Sequence, residues 1–287
     1  MAPTGSKTFI IWILGALSTV TPLAIDLYLP AFTNIAHYFD TTPSRIALSV
    51  TSYFIGMALG QILYGPLLDR FGRKRPLYAG LAVFIVASIL CTQADTDSML
   101  IALRFVQAIG GSVAWVAAVT MVRDFFPVKE SAKVFSLLIL VIGVSPLLAP
   151  TIGSLITVSL GWKAIFLTIA GIGCSVFAVV LLFLPSGQPP DRTVSLKAGP
   201  ILRTFSGILK QPQFATYAFA GAFSFSSLFI YVAGSPVIFM DIYKVSAKAY
   251  GGIFALLSVG FIGASQLNIF LAKRISGEKI FRNALIA

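Results

Sequence analysis

Charge is what this sequence has least of. Only 11% of its 287 residues are Asp, Glu, Lys or Arg, against about 25% in an ordinary soluble domain, while 57% are hydrophobic. That imbalance excludes a soluble globular domain. Acids are the scarcer sign, 10 against 21 cations, for a net charge of +11. The excess does not make a nucleic-acid face, because the cations fall in short stretches beside apolar runs and not along one surface. Histidine occurs once and cysteine twice: His37 lies in a polar stretch, Cys91 and Cys174 inside apolar runs. No metal set, disulfide framework or Cys/His nucleophile can be assembled from them. A nucleotide loop, a catalytic dyad and a hydrophilic domain are lacking too, so neither an enzyme nor a receptor is expected.

What is abundant is uninterrupted apolar sequence. Crossing a hydrocarbon core of ~30 Å takes roughly 20 residues of helix. Eight segments qualify, near residues 8–30, 45–68, 76–94, 98–122, 134–157, 163–184, 213–239 and 249–272. The first is too long for a signal peptide, contains Asp26 and is followed by no small-x-small cleavage pattern, so it reads as a retained span. With the N-terminus inside, 16 cations fall on the cytoplasmic side and 4 outside, with Arg104 within a span. Lys and Arg are retained on the cytoplasmic face, so this count orients a multi-pass protein with a cytoplasmic N-terminus.

Residues 185–211 are the one long polar, Pro-rich stretch with several cations. They divide a six-helix transmembrane domain, 1–184, from a partial second one, 212–287, holding spans seven and eight and the start of a ninth. A repeat links the two: Pro30 and Pro236 are 206 residues apart, Gln61 and Gln266 are 205 apart, Arg70 and Arg274 are 204 apart. Parallel six-span repeats with a period of about 205 lead to a chain of about 390 residues. The sequence is therefore expected to be a truncated fragment, unable to transport by itself.

Two ionisable residues lie deep in spans, Asp26 and Arg104. Such a charge costs at least ~2.5 to 3.5 kcal/mol, so each needs water, a partner or a function. At helical spacing Asp26 shares a face with Gly15, Thr19 and Pro22, and Arg104 with Ala108, Gly111 and Trp115, Gln107 being one step round. Ser224, Ser227, Tyr231 and Ser235 form a third stripe in the seventh span, beside Phe223 and Phe225. Small-residue stripes also mark plain helix packing, and Arg104, seven residues from Asp97, is placed to snorkel outward. Asp26 is too short to do so and reads as functional.

Between the second and third spans runs Gly65-Pro66-Leu67-Leu68-Asp69-Arg70-Phe71-Gly72-Arg73-Lys74, a charge packet bracketed by glycines. It resembles the loop 2-3 signature G-x-x-x-D-R-x-G-R-[KR] of the major facilitator superfamily. Asp26-Leu27-Tyr28-Leu29-Pro30 resembles the first-span D-x-Y-L-P signature of Bcr/CflA-type multidrug/proton antiporters within it, and Arg104-Phe105-Val106-Gln107-Ala108-Ile109-Gly110 their fourth-span R-x-x-Q-G-x-G, with Ala108 in place of a glycine. Arg123-Asp124, Gly161-Trp162 and Ser265-Gln266-Leu267-Asn268 also fit. The fifth span departs from the antiporter pattern G-x-x-x-G-P-x-x-G-G: Pro150 and Gly153 match, whereas Ser145, Ala149 and Ser154 do not.

The resemblance implies an all-α membrane protein of the major facilitator fold, with eight transmembrane helices of an expected twelve. It implies a secondary transporter in a bacterial inner membrane, monomeric when complete, that exports small amphipathic or cationic drugs and xenobiotics. A proton gradient, not a cofactor, would drive it, and its partners would be drugs, protons and the lipid bilayer, with no nucleic acid. Asp26 and Arg104 would couple protons and recognise substrate as an electrostatic pair, and Thr19, Tyr28, Gln107, Trp115, Ser227 and Tyr231 would line the cavity. Gly65, Asp69, Arg70, Gly72, Arg73, Lys74 and Asp124 would be the conformational signature, Arg73 pairing with Asp124 and Asp69 meeting an eleventh span. Pro150 and Gly153 would pack the fifth helix tightly. A facilitator-type uptake carrier for a small polar metabolite is the alternative that shares fold and loop.

Overall fold

Backbone in hydrocarbon has no water to bond, so a long apolar run satisfies its amides only by closing a helical ladder on itself. The computed structural model describes residues 7–271, 275, 279–280 and 282–283, and among them no strand occurs. The helices are α1 (Lys7–Asp26), α2 (Phe32–Tyr38), α3 (Pro43–Phe71), α4 (Lys74–Cys91), α5 (Asp97–Phe125), α6 (Val128–Leu160), α7 (Trp162–Phe183), α8 (Ala198–Leu209), α9 (Pro212–Pro236) and α10 (Ala247–Leu271). Six stretches of the described residues are long and apolar enough to cross a membrane: Lys7–Tyr38, Pro43–Phe71, Lys74–Cys91, Asp97–Phe125, Lys133–Leu160 and Trp162–Phe183. Helices α9 and α10 have 25 residues each; the shorter apolar stretches are Ile230–Ile242, which begins in α9 and runs past its end, and Lys248–Leu257 within α10.

Local chemistry sets the ends. Thr42 and Thr96 accept from the Arg45 and Met99 amides, capping α3 and α5. Gly72 and Gly161, at φ of 77° and 81°, let the chain leave α3 and α6 through a region that other residues adopt only with strain.

Three expectations shift. The first span does not end near residue 30: α1 stops at Asp26, a 3-10 turn covers Leu29–Ala31, and α2 carries the helix on to Tyr38. Pro30, with no amide proton, is the reason the ladder breaks there. The charge packet is less of a loop than it reads, since α3 runs through Phe71. The polar linker contains α8, whose Leu202, Phe205, Ile208 and Leu209 sit at helical spacing and are exposed.

Helix α5 is the hub, packed on α1, α3 and α4, while α7 lies against α4 and α1, and α6 against α1. Close approach depends on small residues: a Cβ on Gly60 would collide with Ser112 of α5. Helix α10 packs along α6, and α9 touches α3. At the seventh span Pro236 ends α9 and a π-helix covers Val237–Ile242. Pro30 and Pro236 thus both mark places where the α-helix gives way to another winding.

Candidate functional site

Arg104 is fully buried, so it does not snorkel. The broken first span supplies part of the reason. At the break the Tyr28 amide bonds back to the Ile25 carbonyl at 3.2 Å, which leaves the Ala24 carbonyl outside the ladder. Arg104 Nη1 donates to that carbonyl at 3.1 Å and to Gln107 Oε1 at 2.6 Å. Gln107 Nε2 in turn donates to Ser88 Oγ at 2.6 Å. Nε and Nη2 of the guanidinium have no hydrogen-bond acceptor. They are enclosed by π-systems instead, with the guanidinium carbon 4.2 Å from the Tyr53 ring centroid, 4.7 Å from Tyr28 and 5.8 Å from Phe166. A desolvated cation over aromatic faces gains about 2 kcal/mol or more. Tyr28 is itself fixed by Ser49 Oγ, 2.9 Å from its hydroxyl.

Asp26, 4% exposed, sits at the end of α1. It forms no ion pair with Arg104; its Oδ2 accepts from Ser145 Oγ of α6 at 3.0 Å. The two deep charges are therefore held separately by neutral partners, the cation inside the six-helix unit and the acid at the seam between α1 and α6. That seam also meets the later helices. Gly153 of α6 comes so close to the Leu27 carbonyl that a Cβ would collide with it, and a Cβ on Gly251 of α10 would lie 3.2 Å from Thr151 Cα. Beside it Ser235 Oγ and the Tyr250 hydroxyl are 2.9 Å apart, joining α9 to α10.

Among the expected cavity residues, Tyr28 and Gln107 are fully buried in the Arg104 cage and do not line an open wall. The desolvated guanidinium draws them in. Thr19 is half-buried and turns its hydroxyl back to the Ala16 carbonyl at 2.8 Å. Trp115 and Tyr231 are half-buried, Tyr231 stacking on Phe254 with centroids 5.6 Å apart. Ser227 is exposed. Pro150 is buried, near α10.

At the other end of α3 the packet is organised around Arg73. Its Nε and Nη2 bond the two Asp124 oxygens at 2.8 and 3.2 Å, and Nη1 bonds Asp69. The Arg73 and Asp124 side chains are 8% and 4% exposed; Asp124, seconded by Asp69, holds the guanidinium above its ordinary pKa. Asp69 is half-exposed. Lys74 opens α4, and Gly65 has open space where a Cβ would stand.

Sequence reasoning missed the strap laid over this packet. Gln188 N donates to Asp124 at 3.2 Å, Asp191 N to the Asp69 carbonyl at 2.9 Å, and Arg70 to the Val194 carbonyl. Pro190 packs on Gly72. The Pro and Gly content that marks residues 185–194 as a linker also suits an extended segment bonding through its backbone, which gives no side-chain pattern to read. Tyr53 and Ser88 were missed as well, each sitting in an apolar run with no charge within a helical turn, and Phe166, which closes the stretch that begins Gly161-Trp162, was not read as a partner of Arg104. Ser145 carried a signal, because it stands where the antiporter pattern has glycine.

The comparisons bear on the whole chain. A family model described as the Major Facilitator Superfamily matches residues 14–287. The bicyclomycin resistance protein homolog of Haemophilus influenzae is 35% identical over 280 residues, 97% of this chain and 70% of its own length. Multidrug resistance protein MdtL of Escherichia coli is 32% identical over 260 residues, 89% of this chain and 66% of its own. Among solved structures, a bacterial homolog of the human lysosomal transporter Spinster, inward-facing and unoccupied, superposes with a TM-score of 0.73 at 18% identity, over 96% of this chain and 64% of that one. A D-xylose-proton symporter gives 0.65 at 15% identity, over 94% and 70%. These two likenesses show the fold. The chain spans roughly two thirds of the length of the proteins it matches, 64% to 70% for these four.

Proposed function

The chain belongs to the major facilitator superfamily, and on that premise we propose that it serves the export of small amphipathic or cationic compounds in exchange for protons. The multi-pass helices and the names of relatives concerned with bicyclomycin and multidrug resistance support this reading. The observation that carries it is Asp26, a buried acid at a helix break, held by one hydroxyl and paired with no cation. An acid so placed changes the energy of its seam whenever it takes up or releases a proton. A conformation that closes the seam and one that opens it then bind protons differently, which is what exchange requires.

In this reading Arg104 is a fixed part of the scaffold that keeps Tyr28 and the Ala24 carbonyl in place beside Asp26. Residues 1–184 form the first domain, 185–211 the connection and 212–287 part of the second. The ends holding Lys7, Arg70–Arg75 and Arg123–Lys133 face the cytoplasm, a reading supported by the ion pairs Lys7–Glu130 and Arg73–Asp124 at that end.

The test uses the complete protein of about 390 residues that the repeat leads to, reconstituted in liposomes with an imposed pH gradient and a fluorescent cation. Gradient-driven dye movement that a protonophore abolishes and Asp26→Asn removes is the expected result. Movement that persists unchanged in Asp26→Asn, or no movement at all, defeats the proposal.

A further inference from the structure

The end of α3, the start of α4 and the strap enclose a cleft of about 420 Å³ lined by Arg70, Arg75 and Arg192, with Phe71 and Pro190. Three arginines line this one space, and their like charges favour an anion placed among them. The nearby acids are already engaged. Asp69 bonds Arg73, and the exposed Asp191 turns its carboxylate to Thr193, accepting from the amide at 2.9 Å and the hydroxyl at 2.6 Å. Those bonds hold Asp191 below the usual carboxylate range. Among the described residues Arg75 and Arg192 make no ion pair, and Arg70 spends one nitrogen on the Val194 carbonyl.

The cleft is built, not incidental. Its strap wall is tied down at Asp124, at the Asp69 carbonyl and at Arg70, so Arg192 and Pro190 are held against the arginines of the charge packet. Its floor lies at the end of two apolar helices, level with the surface of a bilayer that α3 and α4 would span. Forked guanidinium donors match the tetrahedral oxygens of phosphate better than point charges do.

We propose that Arg70, Arg75 and Arg192 form a binding site for a phosphate-bearing anion, closed on one side by the strap. The anion is a phosphodiester headgroup of the surrounding bilayer or a free phosphate, and the two sources are separable. Basic pockets at the anionic face of a membrane are suited to the first.

The experiment compares the wild-type chain, the double variant Arg75→Gln with Arg192→Gln, and Arg123→Gln, whose exposed arginine lies outside the cleft. Native mass spectrometry from detergent counts retained phosphatidylglycerol against phosphatidylcholine, and titration calorimetry follows inorganic phosphate. Wild type should prefer phosphatidylglycerol, and the double variant should bind it roughly tenfold or more weakly, while Arg123→Gln keeps the preference. Binding of phosphate alone with the same variant pattern, and no lipid preference, assigns the site to a free anion. Each single variant should lose part of the affinity, which separates a lost contact from a lost fold. Wild-type binding of both probes by the double variant, an equal loss in Arg123→Gln, or no binding above phosphatidylcholine and buffer controls overturns the proposal.

Discussion

Ser145 shows how much one hydroxyl decides in a place without water. It stands where the general antiporter pattern carries glycine, and it is the hydrogen-bond donor to Asp26. Removing it in Ser145→Ala leaves a buried carboxylate without its donor, a loss of about 1.5 to 3 kcal/mol where the acid is charged. Denaturation of the purified chain should show that loss in the wild type and a smaller one in the Asp26→Asn background, the difference being the coupling of the pair. Arg104 is held by shape as much as by charge. Arg104→Lys keeps the cation but cannot lie flat among Tyr28, Tyr53 and Phe166 while bonding both Gln107 and Ala24. It should cost about 2 kcal/mol or more, read as a fall in thermal stability in detergent.

Helices came through the sequence well, and their interruptions less well. Apolar length alone located the spans, because hydrocarbon admits few other structures. What composition could not locate is what a pause in the ladder exposes: Pro30 was visible as a breaker, but that the freed Ala24 carbonyl is taken by Arg104 depends on a partner 80 residues away. The two deep charges were visible for the same reason as the spans, being rare there, and Gln107 was legible beside Arg104 because the two share a helix; the partners on other helices, Tyr53 and Ser145, were not, since a tyrosine or serine in an apolar run says nothing of what it faces. Helix α8 was hidden by the prolines around it. Close packing offers a direct check on this scale. Gly153→Ala pushes a methyl group into the Leu27 carbonyl and should destabilise the chain by about 1 to 3 kcal/mol. Gly171→Ala on α7, with nothing within 4 Å of the new methyl, should leave the melting temperature unchanged or raise it slightly.

Across the whole molecule, Asp124 is the point on which α5, the α3–α4 connection and the strap converge. Asp124→Asn weakens the hold on Arg73 and on the Gln188 amide together. Breaking a buried pair costs about 3 to 5 kcal/mol, and the lower end applies here because Asp69 remains. Limited trypsin digestion should then cut sooner at Arg192 and Lys197, while the span-to-span packing stays intact by circular dichroism. The strap has a further consequence for how the chain stays whole. Because residues 187–194 are fastened to the first six spans, the unfastened lengths before α9 are residues 195–197 and 210–211, on either side of α8. So short a leash keeps α10 at high effective concentration beside α6, and a separation of the two closes again within the same molecule. A backbone cut inside α8 would turn that reunion into an encounter between two pieces, whose success would fall with dilution.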